Sequence, residues 1–137
     1  MKILFICKYN RFRSKVAEAY FKKINKNKNL KVQSAGIIEV NKGLTPNEKK
    51  RNKQIKKEFD LNISSVSKGI TAKLLESQDK IIVVASDVPK IIFDHWRWKE
   101  KVERWKAKDD HMAREKEGSK TVKFIFKKID KLAENLK

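Results

Sequence analysis

A chain of 137 residues has room for one domain, residues 1–137, around one real core. It carries 35 Lys and Arg against 17 Asp and Glu, a formal net charge of +18, and a single cysteine. An internal disulfide is excluded, a reducing cytoplasmic setting is implied, and no apolar stretch approaches the length of a bilayer span, so no membrane partner is expected.

The lysines are scattered over most of the chain, and no recognised nucleic-acid motif is visible. A solvated, lysine-rich surface is the preferred reading of the charge over a dedicated nucleic-acid partner. The apolar run after Lys2 is too short for the core of a signal peptide and leads straight into Lys8 and Arg11.

That run, Ile3-Leu4-Phe5-Ile6, ends in Cys7, and Arg13 and Ser14 stand six and seven residues further on, where a helical pattern begins. The stretch predicts a strand, a tight loop and a helix. A loop closing onto a helix N-terminus points successive backbone N–H groups at one spot and adds the positive end of the helix dipole. The segment Lys8, Tyr9, Asn10, Arg11, Phe12, Arg13 and Ser14 is therefore the candidate binding loop for a tetrahedral oxyanion, with the Arg13 guanidinium as a planar clamp. The same field favours the thiolate of Cys7, the form that displaces a phosphoryl group through a covalent cysteinyl-phosphate. Ser14 can donate to the sulfur and help it leave. The plain alternative is a small buried thiol at a strand end; the strand before, the helix after and the lone cysteine at their junction favour catalysis.

Cys7 through Ser14 resembles the cysteine-x5-arginine-serine signature of the low-molecular-weight protein tyrosine phosphatases, which thioredoxin-coupled arsenate reductases of related fold share. Tyr9 stands where that family usually has glycine, and Phe12 where many members have a second cysteine. Asn10 matches the family asparagine that shapes the loop.

Val16, Ala17, Tyr20, Phe21 and Ile24 recur at helical spacing and predict a first helix over residues 14–25. Leu30 to Gln33 alternates as a short strand and leads to Ser34-Ala35-Gly36, a tripeptide also similar to the family. Gly36 there predicts a tight turn with an unusual backbone angle. Residues 37–44 are a loop. Thr45-Pro46-Asn47-Glu48 has the form of a capping box with proline at the first position, opening a polar helix to about Phe59 anchored by Ile55 and Phe59. Thr71 is the cap of a short helix ending near Ser77. Residues 79–85 are continuously β-branched around Ile81-Ile82-Val83-Val84, as in a parallel strand buried on both faces.

A further helix is expected from Ser86, fading near Phe93, with Asp87 as its cap or, less favoured, a catalytic group. Trp96, Arg97, Trp98, Lys99 and Lys101 interleave aromatic and basic residues as a single-strand stacking surface would; packing against a neighbouring helix and strand is preferred. Residues 102–107 predict the last, edge strand. Val122, Ile125, Ile129, Leu132 and Leu136 predict an amphipathic terminal helix from about Ser119.

Alternation of strands and helices implies an α/β fold, a three-layer sandwich with a four-stranded parallel sheet between helices. The resemblance implies strand order 2-1-3-4. In a parallel sheet the strand C-termini share one edge, where ligands bind; Cys7, Gly36, Asp87 and Asp109 all follow strands. Departure of an alcohol from phosphate calls for a positioned carboxylic acid. The resemblance of Trp105 to Asp109 to the segment leading to the family's catalytic aspartate selects Asp109, with adjacent Asp110 left as the alternative. His95 and His111 form no metal-ligand pattern with Cys7, and the chemistry needs neither metal nor cofactor.

The implied function is a cysteine-dependent phosphomonoester hydrolase of the protein-tyrosine phosphatase type, acting on a phosphorylated protein or a small phosphomonoester. The alternatives are an arsenate reductase using an external thiol and a catalytically weak phospho-binding or regulatory protein. Oligomeric state is left open.

Overall fold

The computed structural model describes residues 1–107 and 115–136. Four strands, β1 (Lys2–Cys7), β2 (Lys31–Gly36), β3 (Lys80–Val83) and β4 (Val102–Arg104), form one parallel sheet in the order β2-β1-β3-β4. The helices are α1 (Arg13–Ile24), α2 (Pro46–Phe59), α3 (Ala72–Ser77) and α4 (Glu115–Asn135). The expected α/β class and strand order are both present.

β1 is central and apolar on both faces, which is why its sequence is a run and not an alternation. Ile3 and Phe5 face one core with Val16, Ala17 and Phe21 of α1 and Val122, Ile125 and Ile129 of α4. Leu4 and Ile6 face the other, with Leu75 of α3, Val88 and Phe93. The period-two geometry of a strand splits one hydrophobic run between two cores. Parallel pairing sets Cys7 beside Gly36 and Ile6 beside Val83, so β1, β2 and β3 end together at one edge.

The cap of α2 forms as expected. Thr45 accepts from the Glu48 N–H, and Glu48 accepts from the Thr45 N–H. Ile55 is buried, Phe59 packs edge-on to Phe126 at 5.2 Å, and Asp60 closes the helix in the left-handed region. Thr71 caps α3 through the Leu74 N–H.

Four expectations need correction. The helix from Ser86 to Phe93 is absent; the segment holds one short 3-10 turn, Lys90–Phe93, and a second, Lys99–Lys101, follows before β4. Pro89 disfavours the helical region at Val88, which works against a helical turn opening at Ser86. The last strand stops at Arg104, although the Trp105 N–H still bonds the Val83 carbonyl. α4 begins at Glu115, before Ser119, because its first turn is polar and lies ahead of the apolar stripe. Trp96 is 74% exposed, stacked loosely with His95 and Arg97, whereas Trp98 packs against the second core as expected. Among the described residues no helix is long and apolar enough to cross a membrane.

Candidate active site

The loop between β1 and α1 is organised by Asn10. This residue is fully buried and has φ 54°, a left-handed conformation that asparagine tolerates better than most side chains. Its amide donates to the Ser14 hydroxyl at 2.8 Å and to the Ser34 hydroxyl at 3.0 Å, and its carbonyl accepts the Lys68 N–H at 2.9 Å. The side chain thus ties the loop to the start of α1, to β2 and to the 64–70 connection. The Ser34 hydroxyl in turn donates a hydrogen bond to the Glu18 carboxylate at 2.6 Å.

Ser14 lies 3.0 Å from the buried sulfur of Cys7. Ser14 accepts from Asn10, so its own O–H remains to donate, and a thiolate can only accept. The geometry suits a thiolate held by a hydroxyl at the head of a helix. α1 has no side-chain cap and no acidic residue in its first turn. Its leading N–H groups carry the positive end of the helix dipole toward the loop.

Arg13 is buried and oriented by Asp87. One guanidinium nitrogen is 2.9 Å from one carboxylate oxygen, and the second donates to the other oxygen at 3.2 Å. The first also donates to the Ala107 carbonyl at 3.2 Å. This planar fork fixes the guanidinium plane beside the loop. Burial raises the Asp87 carboxyl, but the hydrogen bond and charge of Arg13 outweigh it and hold the group below the usual aspartate value. Asp87 is therefore not a helix cap but a partly exposed carboxylate that orients Arg13. The signal that could have found it is its place just after β3, at the edge where Arg13 also lies.

Arg11 directs its side chain elsewhere. It forms a bidentate pair with Glu48 at 2.9 and 2.6 Å and donates to the Lys42 and Gly43 carbonyls, which anchors the 37–45 connection to the loop. Phe12 is buried beneath the Arg51 guanidinium, 4.0 Å from its ring centre. Lys8 reaches over the Tyr9 ring at 5.2 Å.

Tyr9 does not distort the loop. Among the described residues positive φ occurs at the non-glycine positions Asn10 and Asp60 and not at Tyr9, so the backbone at position 9 does not demand glycine. The Tyr9 carbonyl is held by the Ser67 hydroxyl at 2.8 Å. Gly36, by contrast, is required for a reason other than the predicted turn. Its φ is not positive, and it sits inside β2. A Cβ there would lie 2.7 Å from the Asn10 nitrogen and 2.7 Å from the Tyr9 carbonyl carbon. The glycine lets the loop backbone press against the end of β2.

Lys108, Asp109, Asp110 and His111 lie outside the described residues. Among the described residues no group of three or more His, Cys, Asp and Glu side chains could hold a metal ion.

Comparison with known proteins agrees with this geometry. A model of the family described as low molecular weight phosphotyrosine protein phosphatase matches residues 2–136. A protein-arginine-phosphatase of Bacillus subtilis is 33% identical over 107 residues, covering 74% of this chain and 68% of that protein. A crystal structure of a YwlE mutant from Bacillus subtilis superposes with a TM-score of 0.82 at 25% identity, covering 99% of this chain and 98% of that one. An arsenate reductase from Archaeoglobus fulgidus shares the fold with a TM-score of 0.72 at 21% identity, over 96% and 98% of the two chains.

Proposed function

The chain belongs to the low molecular weight phosphotyrosine protein phosphatase family, phosphoric monoester hydrolases by class, and we propose that it removes phosphate from protein side chains with Cys7 as nucleophile. The Cys7 thiolate attacks phosphorus, the S–P bond forms, and the ester O–P bond breaks. The departing oxygen takes a proton from Asp109. Asp109 then removes a proton from water, which attacks the cysteinyl-phosphate and returns Cys7 as thiolate to the Ser14 hydroxyl. Arg13 and the N–H groups of residues 8–14 hold the phosphoryl oxygens throughout.

The observation that carries this reading is the trio at the head of α1: Cys7 sulfur 3.0 Å from Ser14, Arg13 forked onto Asp87, and a helix start without a side-chain cap. Asp109 as the acid is supported by the tether of Ala107 to Arg13. Residues 1–137 are taken as one catalytic domain in the cytoplasm, consistent with a single cysteine that works as a free thiol.

The test is hydrolysis of p-nitrophenyl phosphate without added metal. The wild type should turn over, Cys7→Ser should lose at least about 10⁴-fold, and Asp109→Ala should lose about 10²-fold or more. An active Cys7→Ser protein would sink the mechanism. A second reading, protein phosphoarginine as substrate, is favoured by the name of the Bacillus subtilis relative. Parallel release of phosphate from phosphotyrosine and phosphoarginine peptides decides between them. Arsenate reduction would need an external thiol, because Cys7 has no second cysteine to pair with.

A further inference from the structure

Behind the catalytic loop, between α1, β2 and the 62–68 connection, lies a second cavity of about 360 Å³. That volume is at the small end of ligand sites. Lys15, Lys22 and Lys68 line it with Glu18 and Ser34. Lys15 is only 6% exposed as a whole residue; its stem is buried and its amine keeps contact with solvent at the cavity. Lys68 donates to the neutral Gln33 side chain and has no carboxylate partner among the described residues. The one carboxylate in the wall, Glu18, is already held by Lys22 at 2.9 Å and by Ser34 at 2.6 Å. Three lysines therefore line the cavity beside one carboxylate that already has its partners.

Burial pushes the Lys15 amine below the usual lysine value, against the pull of Glu18. The surrounding excess of positive charge would attract an anion and no cation.

We propose that this cavity is a second anion site, distinct from the Cys7 loop, which takes a small, freely diffusing polyanion of the phosphate class on Lys15, Lys22 and Lys68. An occupant competes with Glu18 for Lys22. Through Glu18 it meets Ser34 and then Asn10, the residue that shapes the catalytic loop. The site is independent of whether the loop hydrolyses phosphotyrosine, phosphoarginine or neither.

The test uses the full chain alkylated at Cys7 with iodoacetamide. Cys7 is the only thiol, so the catalytic loop alone is blocked. Inorganic pyrophosphate is titrated at constant ionic strength and followed by amide NMR. Saturable shifts centred on Ala19, Lys22 and Lys68 are expected, with affinity weakened at least about tenfold in Lys15→Met. Lys22 is 58% exposed, so Lys22→Met tests the same site without touching the core, and it too should weaken binding. Absence of saturable shifts in the blocked protein, or unchanged affinity in Lys22→Met, overturns the proposal. Hydrolysis by the unblocked wild type is read separately and bears only on the catalytic loop.

Discussion

After Cys7 and after Val83 the chain leaves neighbouring strands at the same edge of the sheet, yet the two connections are built from different materials. Residues 8–12 are held by a buried asparagine, two serine hydroxyls and a glycine that admits their backbone. Residues 84–101 begin buried at Val84, Ala85 and Val88, then run out through two single 3-10 turns with Ile91 81% exposed. The first connection spends nearly every polar group on shape. The second contributes one carboxylate, Asp87, which orients Arg13. A catalytic loop needs its donors fixed before the substrate arrives, because reorganisation at the moment of reaction costs rate. A connection that supplies a single orienting group needs only that group's backbone to be placed, and Ser86 is pinned for this purpose to the Ala107 carbonyl.

The contrast is broken most directly at Asn10. In Asn10→Ala the Lys68 N–H loses its acceptor, Ser14 and Ser34 lose their donor, and alanine must hold φ 54°. Orphaned buried polar groups and a left-handed non-glycine residue together cost about 3 kcal/mol. Urea unfolding should show a loss of that size, and hydrolysis should fall with it. A stability change under about 1 kcal/mol would mean the network is slack and that the loop owes its shape to something else.

A smaller and pH-dependent effect is expected at the outer brace of the same loop, Arg11 with Glu48. The hydrogen bond from Arg11 is the largest influence on Glu48; burial opposes it, Thr45 assists, and the carboxyl is pushed down to about 2. The folded value lies below the ordinary value of 4.5, so the pair stabilises the protein above about pH 4.5 and loses that contribution as pH falls toward 2. Glu48→Gln removes the proton linkage. The urea midpoint of the wild type should exceed that of the variant at neutral pH, and the gap should close in acid. A gap that persists unchanged to about pH 2 would show that packing, and not charge, is what Glu48 supplies.

How far the sequence reaches follows the same division. The capping box of Thr45 and Glu48 and the cap at Thr71 are legible because donor and acceptor are three residues apart and local geometry suffices. β1 and the Cys7 loop are legible because a buried parallel strand feeding a helix leaves a distinct pattern. Gly36 points in the sequence to a turn, whereas its neighbours in space are Tyr9 and Asn10, whose approach depends on sheet register. The Asp87 fork on Arg13 is hidden for the same reason: it joins residues 74 apart through the order of the strands. Glu18 and Lys15 sit on α1 at helical spacing, and only the fold turns one into a link of the loop network and leaves the other facing a cavity. Residue types predict which groups are able to react; long-range register decides which of them meet.

The smallest effect is expected where the second connection is most exposed. Trp96 is 74% exposed, and its ring neighbours are His95 at 5.7 Å and the Arg97 guanidinium at 5.3 Å. A side chain that leaves most of its surface in water returns little free energy from burial, and solvent weakens its contact with Arg97. Trp96→Ala should shift stability by no more than about 0.5 kcal/mol. Trp98 is the internal control, since it is packed against the second core one turn away and its loss should cost about 2 kcal/mol or more. If the two substitutions cost the same, the 84–101 connection is held in solution by contacts of Trp96 with more of the molecule than its two neighbours. The difference drawn between the two connections would then be one of composition and not of rigidity.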